Sequence, residues 1–362
     1  MKLYFIILLL ILLLLYLYTN TRIIKFDTLS GYYSDCEITE EQQIIMNKLN
    51  IEYNDMNWKY FIPCGYDDCE EKIMKFEYDQ NPRCLFVIDG CDYIGSKISL
   101  WRLLENYYGS MATKYMPQSY ILSKDMNTSE IKNNFFNMNQ IKKGHMFVLK
   151  NYEQRQEGIK LVNNINDIIN GYDNGYYLVQ NYLYDPFIIN KRKTNFRYYT
   201  LIICKNNVIN GYIHKNGFVY YTPEDYNENS MDFKRHITTG YIDRKIYDIN
   251  PLSLDDFRNY LDNIKYGLSK KWDTNVHNLM YHIIKASSVK ICKNNNLSHH
   301  TRFQLFGSDI ASTSNLDAYL MEINKGPDLS AKDERDKKLK LEVQFDIFNI
   351  INNNSNNFEK IF

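Results

Sequence analysis

Asp309, Glu322 and Asn324 are the residues best placed, by type and spacing, to do chemistry. They sit in the stretch Phe303 to Asn324, FQLFGSDIASTSNLDAYLMEIN, which alternates with period two around a polar turn at Ser312 to Asn315. Asp309 falls on the first predicted strand. Glu322 and Asn324 fall on the second, two apart and therefore on one face. Antiparallel pairing would gather three hard oxygen ligands without a cysteine or histidine. Such a set suits Mg²⁺, which takes a few carboxylates together with phosphate oxygens and water. It points to an enzyme that uses a nucleotide. A surface hairpin with acids facing water has the same spacing, so the rest of the chain has to decide between the two.

The 362-residue chain is long enough for two or three subdomains around a substantial core. Lys plus Arg and Asp plus Glu balance at 43 each, so there is no basic bias toward nucleic acid and no such partner is expected. Tyr is abundant, at 32 residues. Leu3 to Tyr18 is sixteen uncharged residues rich in Leu and Ile, with Lys2 before it and Arg22 and Lys25 after. A membrane-spanning helix takes about 20 apolar residues, and Tyr16 and Tyr18 suit the interface. No small-residue cleavage site follows, so the reading is an uncleaved anchor rather than a signal peptide. The flanking positives lean toward a single-pass protein with a cytoplasmic body. Five of the seven cysteines (Cys36, Cys64, Cys69, Cys84, Cys91) lie in about the first quarter. With no companion CxxC or His pair, zinc is not expected. Buried free thiols fit a cytoplasmic body; a luminal body would favour disulfides, and the sequons at Asn127, Asn296 and Asn353 would then matter.

Three divisions follow: residues 1–22 as hydrophobic anchor, 23–84 as linker and start of the N-terminal region, and 85–362 as the catalytic body. A short helix is expected over Thr39 to Asn47, a buried strand at Leu85 to Ile88, and an amphipathic helix over Ile98 to Tyr108. Strand followed by helix implies an α/β N-terminal subdomain. Strands follow at Met146 to Lys150, Tyr177 to Gln180 and Tyr198 to Ile203. Helices are expected near 253–271, capped by Ser253 with Asp256, near 276–291, and from 333 to 352.

Several motifs occur in a familiar order. They are Phe147-Val-Leu-Lys150, Glu157-Gly158-Ile159, Leu178-Val-Gln-Asn-Tyr-Leu183, Lys193-Thr-Asn-Phe-Arg197, His236-Ile-Thr-Thr239, Gly307-Ser-Asp309 and Met321-Glu-Ile-Asn324. Ser96-Lys97-Ile-Ser-Leu100 and the Pro117 segment precede them. From about Leu85 onward the chain resembles the tubulin–tyrosine ligase-like family of ATP-grasp ligases. That resemblance implies an α/β (α+β) ATP-grasp fold: an N-terminal α/β subdomain, then central and C-terminal subdomains clasping ATP, all after the transmembrane helix. It implies an ATP- and Mg-dependent carboxylate–amine ligase that joins an amino acid (of the Tyr, Glu or Gly type) to a protein or peptide such as a tubulin tail, through an acyl-phosphate.

The family's roles carry over position by position. Lys150 would contact phosphate, beside a Gly158 loop that covers it. Gln180, Tyr182 and Leu183 resemble the adenine hinge, and Lys193 and Thr238 lie near the nucleotide. Lys97 would face the transferred phosphoryl group, and Arg197 would meet the terminal phosphate or the carboxylate substrate, a role suited to its planar fork. Asp309, Glu322 and Asn324 would hold two Mg²⁺ ions. As clustered acids, Asp309 and Glu322 should repel, so replacing either should cost little stability. Three positions depart from the pattern: Asn195 for aspartate, Thr239 for asparagine, and Tyr220 where a basic residue is common. They motivate a second reading, an anchored nucleotide-binding module without turnover. A third is an ATP-grasp ligase of small peptides.

Overall fold

The computed structural model describes residues 29–124, 145–152, 158–238 and 243–362. The apolar N-terminal segment, Glu157 and Thr239 lie outside them, as does Asn127. Among the described residues no helix is long and apolar enough to cross a membrane.

The first third alternates strand and helix: β1 (Tyr32–Ser34), α1 (Glu40–Leu49), β2 (Tyr60–Ile62), α2 (Cys69–Met74), β3 (Cys84–Leu85), α3 (Cys91–Gly95) and α4 (Lys97–Tyr108). β1, β2 and β3 pair parallel, as strands joined by helical crossovers do. The helix starts are written in the sequence. Thr39 and Gln42 form a reciprocal capping box on α1, and Ser96 caps α4 by accepting from the Ser99 N–H.

A four-stranded antiparallel sheet follows, ordered β4 (Ser119–Ile121), β7 (Leu178–Asn181), β5 (Phe147–Lys150) and β6 (Ile159–Val162), with α5 (Ile165–Ile169) in the connection. The remaining strands are β8 (Ile188–Ile189), β9 (Arg192–Lys205), β10 (Val208–His214), β11 (Phe218–Tyr221), β12 (Thr301–Ser312), β13 (Ala318–Asn324) and β14 (Phe358–Lys360). With β1 to β3 they complete a ten-stranded sheet whose main path runs β1-β2-β3-β12-β9-β10-β14. β12 joins the two halves, pairing parallel with β3 at Thr301 and antiparallel with β9 and β13. The 23–84 stretch therefore supplies β1 and β2 to the same sheet as the β12–β13 hairpin, with α1 and α2 between the strands.

Helices α6 (Leu254–Ile264), α7 (Leu268–Ser287) and α8 (Glu334–Ile351) complete the fold. Ser253 and Asp256 make the expected capping box on α6. The break between α6 and α7 falls earlier than the periodicity indicated. Gly267 sits at φ 88°, a left-handed turn that a side chain would strain, and Asp262 accepts from the Gly267 and Ser269 N–H groups. Phe196 on β9 packs on Phe257 of α6 and Trp272 of α7, which holds this helix pair against the long strands.

The free-thiol reading needs correction. Cys36 is joined to Cys64 and Cys204 to Cys292, while Cys84 is a buried free thiol and Cys91 is buried with its Sγ 3.3 Å from Glu70 Oε1.

Candidate active site

β12 and β13 pair so that Asp309 lies directly opposite Glu322 and Gly307 opposite Asn324. The three proposed ligands thus share one face, and the β-bulge after Asp309 leaves that alignment intact. The Asn324 amide lies 3.4 Å from Asp309 Oδ2 and 3.5 Å from Glu322 Oε1.

Neither acid stands alone. Arg197, opposite Asp309 in the β9–β12 register, donates from Nε (2.6 Å) and Nη2 (3.0 Å) to its two carboxylate oxygens. Burial opposes the charge on Arg197, but the adjoining Asp309 outweighs it and holds the guanidinium well above its ordinary value. Lys97, at the first position of α4, brings Nζ within 3.7 Å of Glu322 Oε2. Burial pushes the Glu322 carboxyl up, yet Lys97, Lys150 and Arg197 together hold it below the usual range. Burial and the neighbouring Glu322 raise the Asp309 carboxyl against the pull of Arg197, so the expected repulsion is present, but each acid also has its own cation.

Lys150 ends β5 and crosses from the smaller sheet to the larger one, where its Nζ donates to the Met321 carbonyl at 3.2 Å. Burial lowers its pKa to about 8. A cavity of about 60 Å³ lies at this junction, lined by Ser96, Lys97, Lys150, Glu322 and Asn324 among others. It has room for only a few waters, so a nucleotide would have to part the two sheets.

On the smaller sheet Met146, Val148 and Tyr182 form a separate apolar cluster, flanked by Ile159, Leu161, Tyr184 and Tyr226. Tyr182 is a buried member of it; Leu183 is half-buried and stands outside it. Gln180 is fully buried on β7 and donates to Ser119 Oγ at 3.0 Å, while its Oε1 has no partner among the described residues. Val148 lies opposite Gln180 in the β5–β7 register, so the packed apolar cluster adjoins this buried, unsatisfied acceptor.

Lys193 is buried near the start of β9, which excludes the solvated turn that Lys191, Arg192 and Lys193 could have formed. Its Nζ donates to the Tyr182 hydroxyl at 3.0 Å, which bonds His236 Nδ1 at 2.9 Å, and His236 Nε2 reaches the Ser230 carbonyl at 2.7 Å. A neutral His236 with its proton on Nε2 satisfies the whole chain, and burial keeps its pKa below the ordinary value. Burial, with help from Lys150, brings Lys193 down to about 7. Thr238 is half-buried two residues beyond His236, and Gly158 accepts from the Asn151 N–H at 3.0 Å.

Two departures also have visible surroundings. Asn195 has a buried Oδ1 with no partner among the described residues, and Tyr220 stacks near the Arg197 guanidinium at 5.6 Å. Sequence reasoning missed the Lys193–Tyr182–His236 chain, because contact between residues so far apart leaves no local periodicity. It also missed the packing of Met146 and Val148 on Tyr182, although their apolar strand was readable.

A four-stranded antiparallel sheet and a mixed ten-stranded sheet that meet at a cluster of cations and acids, with an α/β unit at one side, are consistent with the ATP-grasp class. The chain belongs to the tubulin–tyrosine ligase family, whose model matches residues 85–358. It is similar to a probable tubulin polyglutamylase, ttll-9, of Caenorhabditis elegans, 28% identical over 46% of this chain and 40% of that protein. A probable beta-tubulin polyglutamylase of Tetrahymena thermophila is 26% identical over 66% of this chain and 21% of its own length. Tubulin glycylase 3B of Drosophila melanogaster is 22% identical over 52% of this chain and 27% of its own. The matched part thus spans well under two thirds of each of these relatives.

Proposed function

We propose that this protein is an ATP- and Mg²⁺-dependent ligase that joins the amine of an amino acid to a carboxylate of a protein acceptor. One observation carries the reading. Asp309, Glu322 and Asn324 converge with Arg197, Lys97 and Lys150 where the two sheets meet. Phosphoryl transfer to a carboxylate concentrates negative charge, and this is the charge distribution that would stabilise it.

Asp309, Glu322 and Asn324 would hold Mg²⁺, which supplies electrostatic stabilisation of phosphate oxygens when bound. Lys150 and Lys193 would meet the phosphates of ATP, and the base would sit against Met146, Val148 and Tyr182, near the Gln180 acceptor, once the two sheets part. Arg197, once turned from Asp309, has the fork to orient a carboxylate or terminal phosphate. The relatives named as tubulin polyglutamylases and a tubulin glycylase make tubulin tails the first acceptors to try, with glutamate and glycine as donors.

Thermal unfolding with and without Mg·ATP, on parent and Glu322→Gln, tests the site. A Mg²⁺-dependent rise in the parent that shrinks in the variant is expected. No rise in either would end the reading. The unsatisfied Asn195 oxygen and Tyr220 beside Arg197 favour one alternative, a module that binds nucleotide without turning it over. Mg·ATP stabilisation with no amino acid transferred to any protein or peptide acceptor would select it.

A further inference from the structure

Beyond Asn324 the chain continues Lys325-Gly326-Pro327, and this turn is gripped on several sides. Gly307 of β12 comes so close to it that a Cβ built on that glycine would lie 2.9 Å from Pro327 Cβ. Gln304, fully buried on the same strand, donates from Nε2 to the Lys325 carbonyl at 2.9 Å and accepts from the Ile88 N–H at 3.1 Å. The Lys325 stem runs along Gly95, the last residue of α3, where a Cβ would meet its own Cβ at 3.2 Å, and its amine pairs with Asp92. The remaining contact comes from Tyr66, in the loop between β2 and α2.

A Cβ built on Gly326 would lie 2.3 Å from Cδ2 of the Tyr66 ring and 3.1 Å from its Cε2. No side chain fits there. The φ of Gly326 is not positive, so the turn itself does not ask for glycine; the ring does. Tyr66 is held in its turn. It meets Phe86 edge-on with centroids 6.4 Å apart, and Phe86 stacks on Phe303 of β12 at 4.8 Å. The series Gly326, Tyr66, Phe86, Phe303 ties the turn after Asn324 to the strand that carries Asp309.

We propose that Tyr66 is a positioning residue for the metal ligands: its ring against Gly326 fixes the turn, and through the turn the direction in which Asn324 presents its carboxamide beside Asp309 and Glu322. Tyr66 lies ahead of residues 85–358, which the family model matches, so a stretch of this chain outside that match helps to shape the site. Small displacements matter because Mg²⁺ demands near-ideal octahedral geometry at about 2.0–2.1 Å. The inference rests on the ligase reading, which gives Asn324 to Mg²⁺.

The test is the Mg²⁺ concentration at which ATP gives half its full thermal shift, measured on the full chain. Tyr66→Ala and Gly326→Ala should each raise it about tenfold, the lower end of what the loss of an outer-shell partner costs a metal site. Gly326→Ala adds a single methyl, so it carries the test even where Tyr66→Ala does not fold. Tyr66→Phe keeps the ring and should match the parent. In the Tyr66→Ala background Gly326→Ala should add little, because the methyl enters the space the ring has left. Alanine variants that melt lower yet need no more Mg²⁺ would reduce the contact to stability alone and overturn the proposal. So would a Tyr66→Phe variant as impaired as Tyr66→Ala, which would move the role to the hydroxyl. A parent that ATP stabilises at no Mg²⁺ concentration would sink the ligase reading and this proposal with it, whereas a normal parent shift with unmoved variants sinks only the role of Tyr66.

Discussion

The pairing of Asp309 with Arg197 decides what a substitution at this site reports. If repulsion from Glu322 outweighed the pairing with Arg197, Asp309→Ala would leave stability nearly unchanged. In the structure it strands a buried guanidinium whose two best hydrogen bonds ran to Asp309. Breaking a buried pair from one side costs about 3–5 kcal/mol. A urea midpoint lowered to that extent is expected for Asp309→Ala, with much of it recovered when Arg197→Met is added, since no unpaired charge then remains. An unchanged midpoint in the single variant would mean that the pair contributes nothing. Arg197→Lys keeps the charge and loses the fork, so both the bond to Asp309 and any bidentate hold on substrate go. Amino-acid transfer should fall by at least tenfold; a rate equal to the parent's would reduce Arg197 to a generic cation.

The strands that carry these residues are held by close approaches a side chain would block. Gly217 precedes β11, and a Cβ built there would lie 2.1 Å from the Arg197 carbonyl and 3.0 Å from Leu254 Cδ1. Gly217→Ala must push β11 away from β9, which moves Arg197 and Tyr220 together. We expect lower thermal stability and loss of Mg·ATP stabilisation; a variant that binds and melts like the parent would show that β11 does not set the site. The β12–β13 hairpin was readable because its signals are local: period-two alternation, a polar turn, two acids brought opposite by simple pairing. The capped helix starts at Thr39 and Ser253 were readable for the same reason. β1 and β2 were not, because three-residue runs such as YYS and YFI hold too few positions to show a period, and their parallel partners come from distant segments. The start of β9 was hidden by its charges. Lys191-Arg192-Lys193 reads as solvated until Tyr182 and the Thr222 and Pro223 carbonyls are seen to receive Lys193 and Arg192.

For the molecule as a whole, the two buried lysines between the sheets link folding and nucleotide binding to protons. Lys193 titrates near about 7 and Lys150 near about 8 in the fold, whereas an exposed lysine titrates near about 10.4. The unfolded chain therefore binds more protons between these values, and stability rises with pH across that window, by at most ~1.4 kcal/mol per pH unit for each lysine. Above pH ~10 the buried tyrosines reverse the trend. Burial raises Tyr198 and Tyr247, so the unfolded chain releases their protons first. Nucleotide binding has the opposite sign. If the phosphates of ATP meet Lys150 and Lys193, they favour the charged amines, and binding at pH 8 must take up protons. Calorimetric heats of Mg·ATP binding measured in Tris and in phosphate should then differ in proportion to the buffers' ionisation enthalpies, and affinity should weaken as pH rises from 7 to 9. Lys193→Arg, which stays charged throughout, should lower the uptake by the share that Lys193 contributes. Equal heats in the two buffers would mean that both lysines are already charged in the empty protein, and that the sheets close on water rather than on a dry, neutral pair.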